Sequence, residues 1–180
     1  METLHPPRHT HHYRARCTWS GSTAGGYEHY DRNHEVVIEG QHLECSADPA
    51  FRGDAMQLNP EQLVLAAAAS CQLLSFLAVA ARARVTVLAY GDDAEAEMRD
   101  EEGPMQLNAI ILRPRITVAP GTNVERVLHL IEVAHRECFI ANSLRTEQRI
   151  EPSVRVAGEL PGHDRRTAMT GAGAGVEINT

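Results

Sequence analysis

Two cysteines lie in segments whose patterns predict helices, and both could take part in thiol chemistry. Cys71 lies in a run of nineteen residues without formal charge, Leu63 to Ala81, which follows the predicted helix start at Pro60. Burial among apolar side chains disfavours a thiolate and raises the pKa of a thiol. A reactive Cys71 therefore requires a cation supplied from outside the helix, because a lone helical cysteine without one is more often an inert core residue.

Cys138 follows an amphipathic segment whose apolar residues recur at three- and four-residue steps, which predicts a second helix. This cysteine falls in the last predicted turn, where the negative end of the helix dipole opposes a thiolate. It is therefore the weaker nucleophile and the better candidate for a resolving thiol. If the apolar faces of the two helices pack together, Cys71 and Cys138 could come within bridging range, which is about 4.4–6.8 Å between Cα atoms.

Other chemistry of these residues fits less well. His135 shares a helical face with Cys138, and together with Cys71 the pair could make a three-ligand zinc site. The chain offers no evident fourth ligand and no CxxC motif, so neither a metal nor a cofactor is expected. A Cys71–His135 hydrolytic dyad lacks a motif for an oxyanion hole or an orienting acid. Cys17 and Cys45 fall on predicted strands and are expected to be packing residues.

The sequence pattern predicts that the elements around these cysteines follow the order β-β-β-α-β-β-α-β. This order indicates an α+β protein in which helices pack against antiparallel sheet. Length and composition suit a single domain at residues 13–157. A flexible polar arm is expected at residues 1–12, and a Gly-, Ala- and Thr-rich tail without fixed structure at residues 158–180.

Alternating apolar and polar residues predict the strands of this domain. Three short strands precede the first helix. Two long strands, Val85–Met98 and Met105–Val118, form a hairpin between the helices, and a last strand covers Arg145–Gly158. Pro114 within the second long strand indicates an edge or a bulge, since proline cannot donate to a neighbouring strand.

Composition excludes several classes of partner. The net charge of −7 gives no case for binding to nucleic acid or to a membrane surface. The run from Leu63 to Ala81 just reaches the length of a membrane span, but it contains three polar residues and lacks an aromatic belt, so a buried central helix is expected. No secretory signal is visible near the N-terminus, and we therefore expect reduced cysteines and a cytoplasmic location.

The segments NPEQLVLAAAASC at residues 59–71 and AHRECFIANS at residues 134–143 resemble the OsmC/Ohr family of thiol-dependent peroxidases. A glutamate ten residues before the first cysteine, and a second cysteine 67 residues after it, fit the spacing of that family. The stretch YDRNH, Tyr30–His34, resembles its arginine-bearing motif. The resemblance covers residues 13–157.

The resemblance implies the OsmC-like fold, an intertwined homodimer whose antiparallel sheets wrap around two central helices, with two active sites at the dimer interface. It implies that Cys71 is the peroxidatic cysteine and Cys138 the resolving one. It also implies that Arg32 stabilises the Cys71 thiolate and that Glu61 holds Arg32. The implied function is the reduction of organic hydroperoxides, with recharging by a dithiol such as a dihydrolipoyl protein.

Helix geometry adds a constraint to this site. Ten residues of straight helix rise by about 15 Å, so Glu61 cannot lie beside Cys71 of its own helix. Either Arg32 bridges a long gap, or a partner chain supplies Glu61. Arg52 is the main rival to Arg32 for the role of the cation.

Two positions depart from the family pattern. Phe139 follows the second cysteine where many members have proline, and Gln72 follows the first where others have an aromatic residue or histidine. Either change could alter the pocket or the rate. A second function therefore stays open, that of a non-catalytic dimeric protein that binds an apolar ligand and whose cysteines are core or redox-sensing residues.

Overall fold

The computed structural model describes residues 10–100, 103–158, 165–166 and 169–170. The chain divides into two compact units, residues 1–60 and 61–180. Most of the predicted N-terminal arm and most of the predicted tail lie outside the described residues, and the domain boundaries stay predictions.

The first unit contains an antiparallel three-stranded sheet in the order β1-β2-β3. Its strands are β1 (Arg16–Thr18), β2 (His34–Ile38) and β3 (Gln41–Cys45). The turn between β2 and β3 consists of Glu39 and Gly40, with φ values of 47° and 79°. Two successive left-handed residues match the right-handed twist of a hairpin, which is why glycine suits this turn. A 3-10 helix at Pro49–Phe51 follows the sheet.

Among the described residues from the unit boundary onward, three helices and eight strands follow one another. In chain order they are α1 (Pro60–Arg82), β4 (Val87–Asp92), β5 (Glu95–Met98), β6 (Leu107–Leu112), β7 (Pro114–Val118), α2 (Val124–Glu137), α3 (Phe139–Ser143), β8 (Glu147–Ile150), β9 (Ser153–Val156), β10 (Arg165–Arg166) and β11 (Met169–Thr170). Proline at the first position and Glu61 in the first turn favour the start of α1. The Asn123 side chain caps α2 by accepting the Arg126 N–H at 2.7 Å.

The strands of the second unit form two four-stranded sheets, in the orders β10-β9-β7-β4 and β11-β8-β6-β5. The pairs β4–β7 and β5–β6 are antiparallel, as predicted. The pairs β6–β8 and β7–β9 are parallel, so the prediction of purely antiparallel sheets is wrong and the sheets are mixed. The reason is that α2 and α3 connect β7 to β8, and such a helical crossover lets the chain return in the same direction.

Each of the three long strands predicted from the sequence is divided into two, and the halves belong to different sheets. Arg113 lies at one break. Its N–H donates to Asp92 Oδ1 at 2.7 Å, and its guanidinium pairs with Glu95 at 2.8 Å and Glu151 at 2.9 Å, residues next to the other breaks. Pro114 begins β7, which lies between β9 and β4. The prediction of an edge strand is therefore wrong, because proline is tolerated as the first residue of an interior strand.

The core of the second unit is one cluster of apolar side chains from α1, α2 and both sheets. Phe76 of α1 and Ile110 of β6 are both 0% exposed. The opposite face of α1 is exposed in the single chain, at Ala66, Ala67, Ser70, Leu74, Leu77 and Ala78. The expectation of a helix buried on all sides is therefore not met within one chain.

By length and composition α1 is also a helix that could cross a membrane, a test that the core helix of a soluble protein passes as well. Residues Ala68, Gln72, Phe76, Val79 and Ala80 of α1 are buried. Four of them belong to the core cluster, which makes α1 a core helix of this fold.

Candidate active site

Cys71 lies near the middle of α1 and is half-buried. Ser75 follows one turn later, and residues four apart share one face of a helix. The Ser75 side chain lies close enough to the Cys71 sulfur to help lower the pKa of this thiol. The helix itself therefore supplies one group that favours the thiolate.

Cys138 is not in the last turn of α2, as the sequence predicts, but at a break between two helices. Its backbone is extended, with φ −72° and ψ 116°, and its N–H donates to the His135 carbonyl as the C-cap of α2. Residue 139 then begins α3. The apolar stripe continues past residue 137, so periodicity alone could not show where the helix ends. The Cys138 side chain is buried, at 1% exposure.

The break at Cys138 brings the two cysteines together. The Cys138 thiol lies close enough to Cys71 to shift its pKa, and both cysteines are free thiols in the structure. The Ile140 N–H donates to Cys71 Sγ with an N···S distance of 3.5 Å. The Cys71 sulfur therefore accepts a hydrogen bond from the segment that follows Cys138.

These contacts shift the two thiols in opposite directions. Burial alone would raise the pKa of Cys71, but the hydrogen bonds from Ile140, Cys138, Phe139 and Ser75 together hold its pKa below the usual 9.0. Burial, and after it the donation of its proton to Cys71, raise the pKa of Cys138 to about 11.

The expectation that Cys71 needs a cation in order to ionise is therefore incomplete. Within the part of the chain that the structure describes, neutral donors already lower the pKa of Cys71. These donors are not among the site residues predicted from the sequence. Ser75 could have been found from its four-residue spacing to Cys71. The Phe139 and Ile140 amides carry no signal in the residue types, because every residue except proline has an N–H.

Arg32 belongs to the first unit, whereas Cys71 belongs to the second. The Arg32 guanidinium donates to the Tyr30 carbonyl and, at 2.5 Å, to the Tyr27 carbonyl. It also lies 3.8 Å from the Tyr30 ring centroid and 4.8 Å from that of Tyr27, within the range of cation–π attraction. Its Nε is buried without a hydrogen-bond partner in the described structure. The role of Arg32 as the cation of Cys71 stays a prediction.

The other residues predicted for the cation site are Glu61 and Arg52. Glu61 lies in the first turn of the unbroken helix α1, so the separation of about 15 Å from Cys71 holds. Its Oε2 is buried and has no hydrogen-bond partner among the residues described. Arg52 forms an ion pair with Glu28. Arg52 therefore already has a carboxylate partner within its own unit.

Gln72 and His135 lie beside the cysteine pair. The Gln72 side chain is 1% exposed, and its amide donates to the Ile131 carbonyl of α2 at 3.5 Å, so it ties the two helices together. His135 Nδ1 is buried without a partner among the described side chains, and burial lowers the pKa of this histidine. No group of three or more His, Cys, Asp or Glu suited to a metal ion occurs in the described ranges.

A cavity of about 440 Å³ lies within the first unit. Its lining is mostly apolar and includes Trp19, Tyr30, Arg32 and the exposed Cys17 of β1. Such a volume is within the size range of small-molecule pockets.

Comparison with protein families decides the identity of the fold. The OsmC-like protein family matches residues 53–153, more than half of the chain. The chain belongs to the OsmC-like protein family. This confirms both the family resemblance seen in the sequence and the OsmC-like α+β fold. The matched range includes both cysteines of the candidate site.

Three relatives place this OsmC-like chain among its neighbours. An OsmC-like protein of unknown function from Vibrio cholerae is 25% identical, with a TM-score of 0.70, over 82% of this chain and 99% of that one. A second Vibrio cholerae structure, of a candidate organic hydroperoxide resistance protein with captopril bound in one of its active sites, is 25% identical with a TM-score of 0.58, over 83% and 95%. The uncharacterized protein YmaD of Bacillus subtilis is 24% identical over 156 residues, 83% of this chain and 98% of its own.

Proposed function

We propose that this OsmC-like protein is a thiol-dependent peroxidase that reduces organic hydroperoxides, with Cys71 as the attacking thiol and Cys138 as the resolving thiol. One observation carries the proposal. The thiol of Cys71 on α1 and the thiol of Cys138 at the break between α2 and α3 interact, and their pKa values are shifted in opposite directions. A peroxidatic pair needs this division of roles. One cysteine attacks as a thiolate, and the other stays protonated until the sulfenic acid has formed.

The reaction follows from this division. The Cys71 thiolate attacks the terminal oxygen of the hydroperoxide, the O–O bond breaks, and the alkoxide leaves and takes up a proton to become the alcohol. Cys71 is thereby oxidised to a sulfenic acid. Cys138 condenses with the sulfenic acid, which forms the disulfide and releases water. An external dithiol, such as a dihydrolipoyl protein, reduces the disulfide in two exchange steps through a mixed disulfide.

The surroundings of the thiols favour a substrate with an apolar substituent. Leu74 is on the next turn of α1 after Cys71 and is 63% exposed, and Phe139 is adjacent to Cys138 and is 82% exposed. Exposed apolar side chains next to a reactive group provide contact area for an alkyl or aryl chain. The organic hydroperoxide resistance function named for one Vibrio cholerae relative agrees with this substrate class.

We propose further that the protein acts as a cytoplasmic homodimer and that Arg32 and Glu61 complete the site. The exposed face of α1 consists of small and apolar residues, which let another helix approach closely. Arg32 Nε is a buried donor and Glu61 Oε2 a buried acceptor, and neither has a partner among the described residues of the single chain. A buried group of this kind calls for a partner, and a second copy of the chain can supply it.

The decisive experiment adds cumene hydroperoxide to the fully reduced protein and follows its free thiols. We expect rapid loss of two thiols per chain, with an intrachain Cys71–Cys138 disulfide found by mass spectrometry. Cys71→Ser should abolish this reaction. The matched control is Cys17→Ser, which removes an exposed thiol from β1 and should leave the reaction intact. Slow oxidation that is the same in wild type and Cys71→Ser would refute the proposal.

That negative result would favour the second candidate function, a non-catalytic protein that binds an apolar ligand. The observation behind it is the mostly apolar cavity of about 440 Å³ in the first unit. Binding of an apolar fluorescent probe, lost when Trp19 in the cavity wall is replaced by alanine, would support this alternative.

The cation role is tested separately. Arg32→Ala should raise the pKa of Cys71, measured from the pH dependence of its alkylation. Arg52→Ala is the control, because Arg52 already pairs with Glu28. A shift in the Arg52 variant and none in the Arg32 variant would reverse the assignment.

A further inference from the structure

One face of the sheet β10-β9-β7-β4 carries charged and polar side chains that the proposed peroxidase reaction does not use. In β7, Arg115 and Thr117 alternate with three buried residues. Successive side chains of a strand point to opposite faces, so Arg115 and Thr117 lie on the face directed away from the core. Arg155 of β9 is exposed and is the neighbour of Thr117 in the register of the sheet, so it lies on this face as well.

A cavity of about 460 Å³ opens on this face. The strand β4 places Gly91 beside Arg115 and Ala89 beside Thr117. Because glycine and alanine have almost no side chain, they leave a hollow next to the long side chains of Arg115 and Arg155. The cavity is therefore formed by small residues on one strand and by long, charged residues on the next two.

The guanidinium of Arg155 is held in place but not neutralised. Its Nε donates to Thr117 Oγ1 with an N···O distance of 2.8 Å, which fixes one edge of the guanidinium. Arg155 forms no ion pair with any residue that the structure describes. Arg115 is paired with Asp93 through Nη1, while its Nη2 lies 3.6 Å from the position that a Cβ would have at Gly91. Since a guanidinium has five N–H donors, both arginines keep donors for an anion in the cavity.

We propose that this cavity binds the phosphate group of a small molecule, with Arg115, Ser153 and Arg155 as the donors. Neighbouring strands lie about 4.8 Å apart and each residue rises by about 3.3 Å, so the Cα atoms of the two arginines, one strand and two residues apart, are separated by about 8 Å. Long side chains at such diagonal positions are within reach of each other, so both guanidiniums can donate to one anion. Ser153 is the neighbour of Arg115 in the register and lines the same cavity.

The number and type of donors favour a phosphate over a carboxylate. Arginine binds either group with paired N–H donors, but a phosphate offers three strong acceptor oxygens and nearly two negative charges, against two oxygens and one charge for a carboxylate. Two guanidiniums and a hydroxyl match the larger group. The Asp93 carboxylate offsets part of the charge of Arg115, so Arg155 should contribute the larger share of the attraction. The net charge of −7 disfavours a phosphate polymer, so a small ligand is expected.

The test titrates ¹⁵N-labelled protein with inorganic phosphate at about pH 8, where phosphate is mostly dianionic, with NaCl used to keep the ionic strength constant. We expect the amide resonances of Gly91 and Thr117 and the Nε resonance of Arg155 to shift and to reach saturation. Arg155→Gln should weaken binding at least about tenfold, because it removes charged hydrogen bonds, and Arg115→Gln should weaken it less. Shifts that never saturate in the protein with both arginines, or an unchanged dissociation constant in Arg155→Gln, would overturn the inference.

Two control variants separate this site from a general effect of charge. Arg149→Gln removes one positive charge from β8 of the other sheet, where Arg149 pairs with Glu147, and should leave the dissociation constant unchanged. Arg155→Lys keeps the charge but loses the guanidinium fork, and should restore only part of the affinity. Equal weakening in Arg149→Gln and Arg155→Gln would refute a site at this cavity.

Two further ligands test the chemical class. Acetate should bind at least about tenfold more weakly than phosphate, since it offers fewer acceptors and less charge. Glycerol 3-phosphate should bind at least as tightly as inorganic phosphate. Equal affinity for acetate, or weaker binding of the phosphate ester, would refute the proposed ligand. All titrations use the Cys71→Ser background, so their outcome does not depend on the thiol reaction.

Discussion

The order in which the two thiols react with an alkylating reagent follows from their environments. The pKa of Cys138 is raised to about 11, and that of Cys71 lies below 9.0, a gap of more than 11 − 9.0 = 2 pH units. Below both pKa values this gap means at least about 100-fold more thiolate at Cys71. A thiolate of higher pKa is the stronger nucleophile, which returns roughly tenfold to Cys138. Cys71 should therefore react at least about tenfold faster.

The assay uses less than one equivalent of iodoacetamide at pH 8, a short reaction time and peptide mass spectrometry. Substoichiometric reagent matters, because an alkylated Cys71 no longer accepts the hydrogen bond that helps to raise the pKa of Cys138. Cys17 is exposed on β1 and is quantified on its own peptide.

Burial also slows the labelling of Cys138, but solvent access does not titrate, so the pH profile separates the two effects. The midpoint of Cys71 labelling should lie below pH 9, while Cys138 labelling should still be rising near pH 11. A common midpoint for the two residues, or faster labelling of Cys138 at pH 8, would refute the assignment of nucleophile and resolving thiol.

Three further predictions concern donors, core and buried charge. Cys138→Ser keeps a hydroxyl donor and should leave the alkylation midpoint of Cys71 nearly unchanged, whereas Cys138→Ala should raise it by about half a unit; equal midpoints would contradict the thiol-to-thiolate hydrogen bond. Phe76→Ala, at 0% exposure, should lower the free energy of unfolding in urea by about 3–5 kcal/mol, against less than about 1 kcal/mol for the control Leu88→Ala at 56% exposure. Burial lowers the pKa of His135 below 6.5, so protonation of this side chain favours the unfolded chain. The free energy of unfolding should therefore decrease as the pH falls below 6.5. His135→Asn should make this decrease less steep, and an unchanged dependence on pH would exclude His135 as its cause.

Much of the architecture could be predicted from residue patterns, and the errors have physical causes. The helix at Pro60–Arg82 carries its start and stop signals in the sequence, with proline at its first position and arginine in its last turn. The alternation of apolar and polar residues correctly predicted strands in these segments. It could not show that Val85–Met98 and Met105–Val118 each pass from one sheet to the other. That change depends on contacts distant in sequence, among them the Arg113 side chain between Glu95 and Glu151. A two-residue period shows which face a residue occupies and not which sheet.

The candidate site, like the fold, could be predicted from the sequence only in part. Residue types identified Cys71 and Cys138, because a thiol stands out in an apolar helix, and in the structure the two thiols are close enough to shift each other's pKa. The sequence did not show that α2 ends at Glu137, one residue earlier than predicted. Because the helix ends there, Cys138 has an extended backbone and α3 begins at the next residue.

The break at Cys138 also explains how one segment can shift two neighbouring thiols in opposite directions. Had α2 continued unbroken, the amide of Ile140 would have been directed at a carbonyl of its own helix, and Cys71 would have lost this donor. The extended residue turns the chain so that the Ile140 amide reaches the sulfur on α1, while the Cys138 side chain stays buried, which raises the pKa of its thiol. The interaction between the two thiols adds to both shifts, since it lowers the pKa of Cys71 and raises that of Cys138. The difference in reactivity between the two thiols is therefore a property of the helix break, and a substitution that joined α2 and α3 into one helix should bring the two pKa values together.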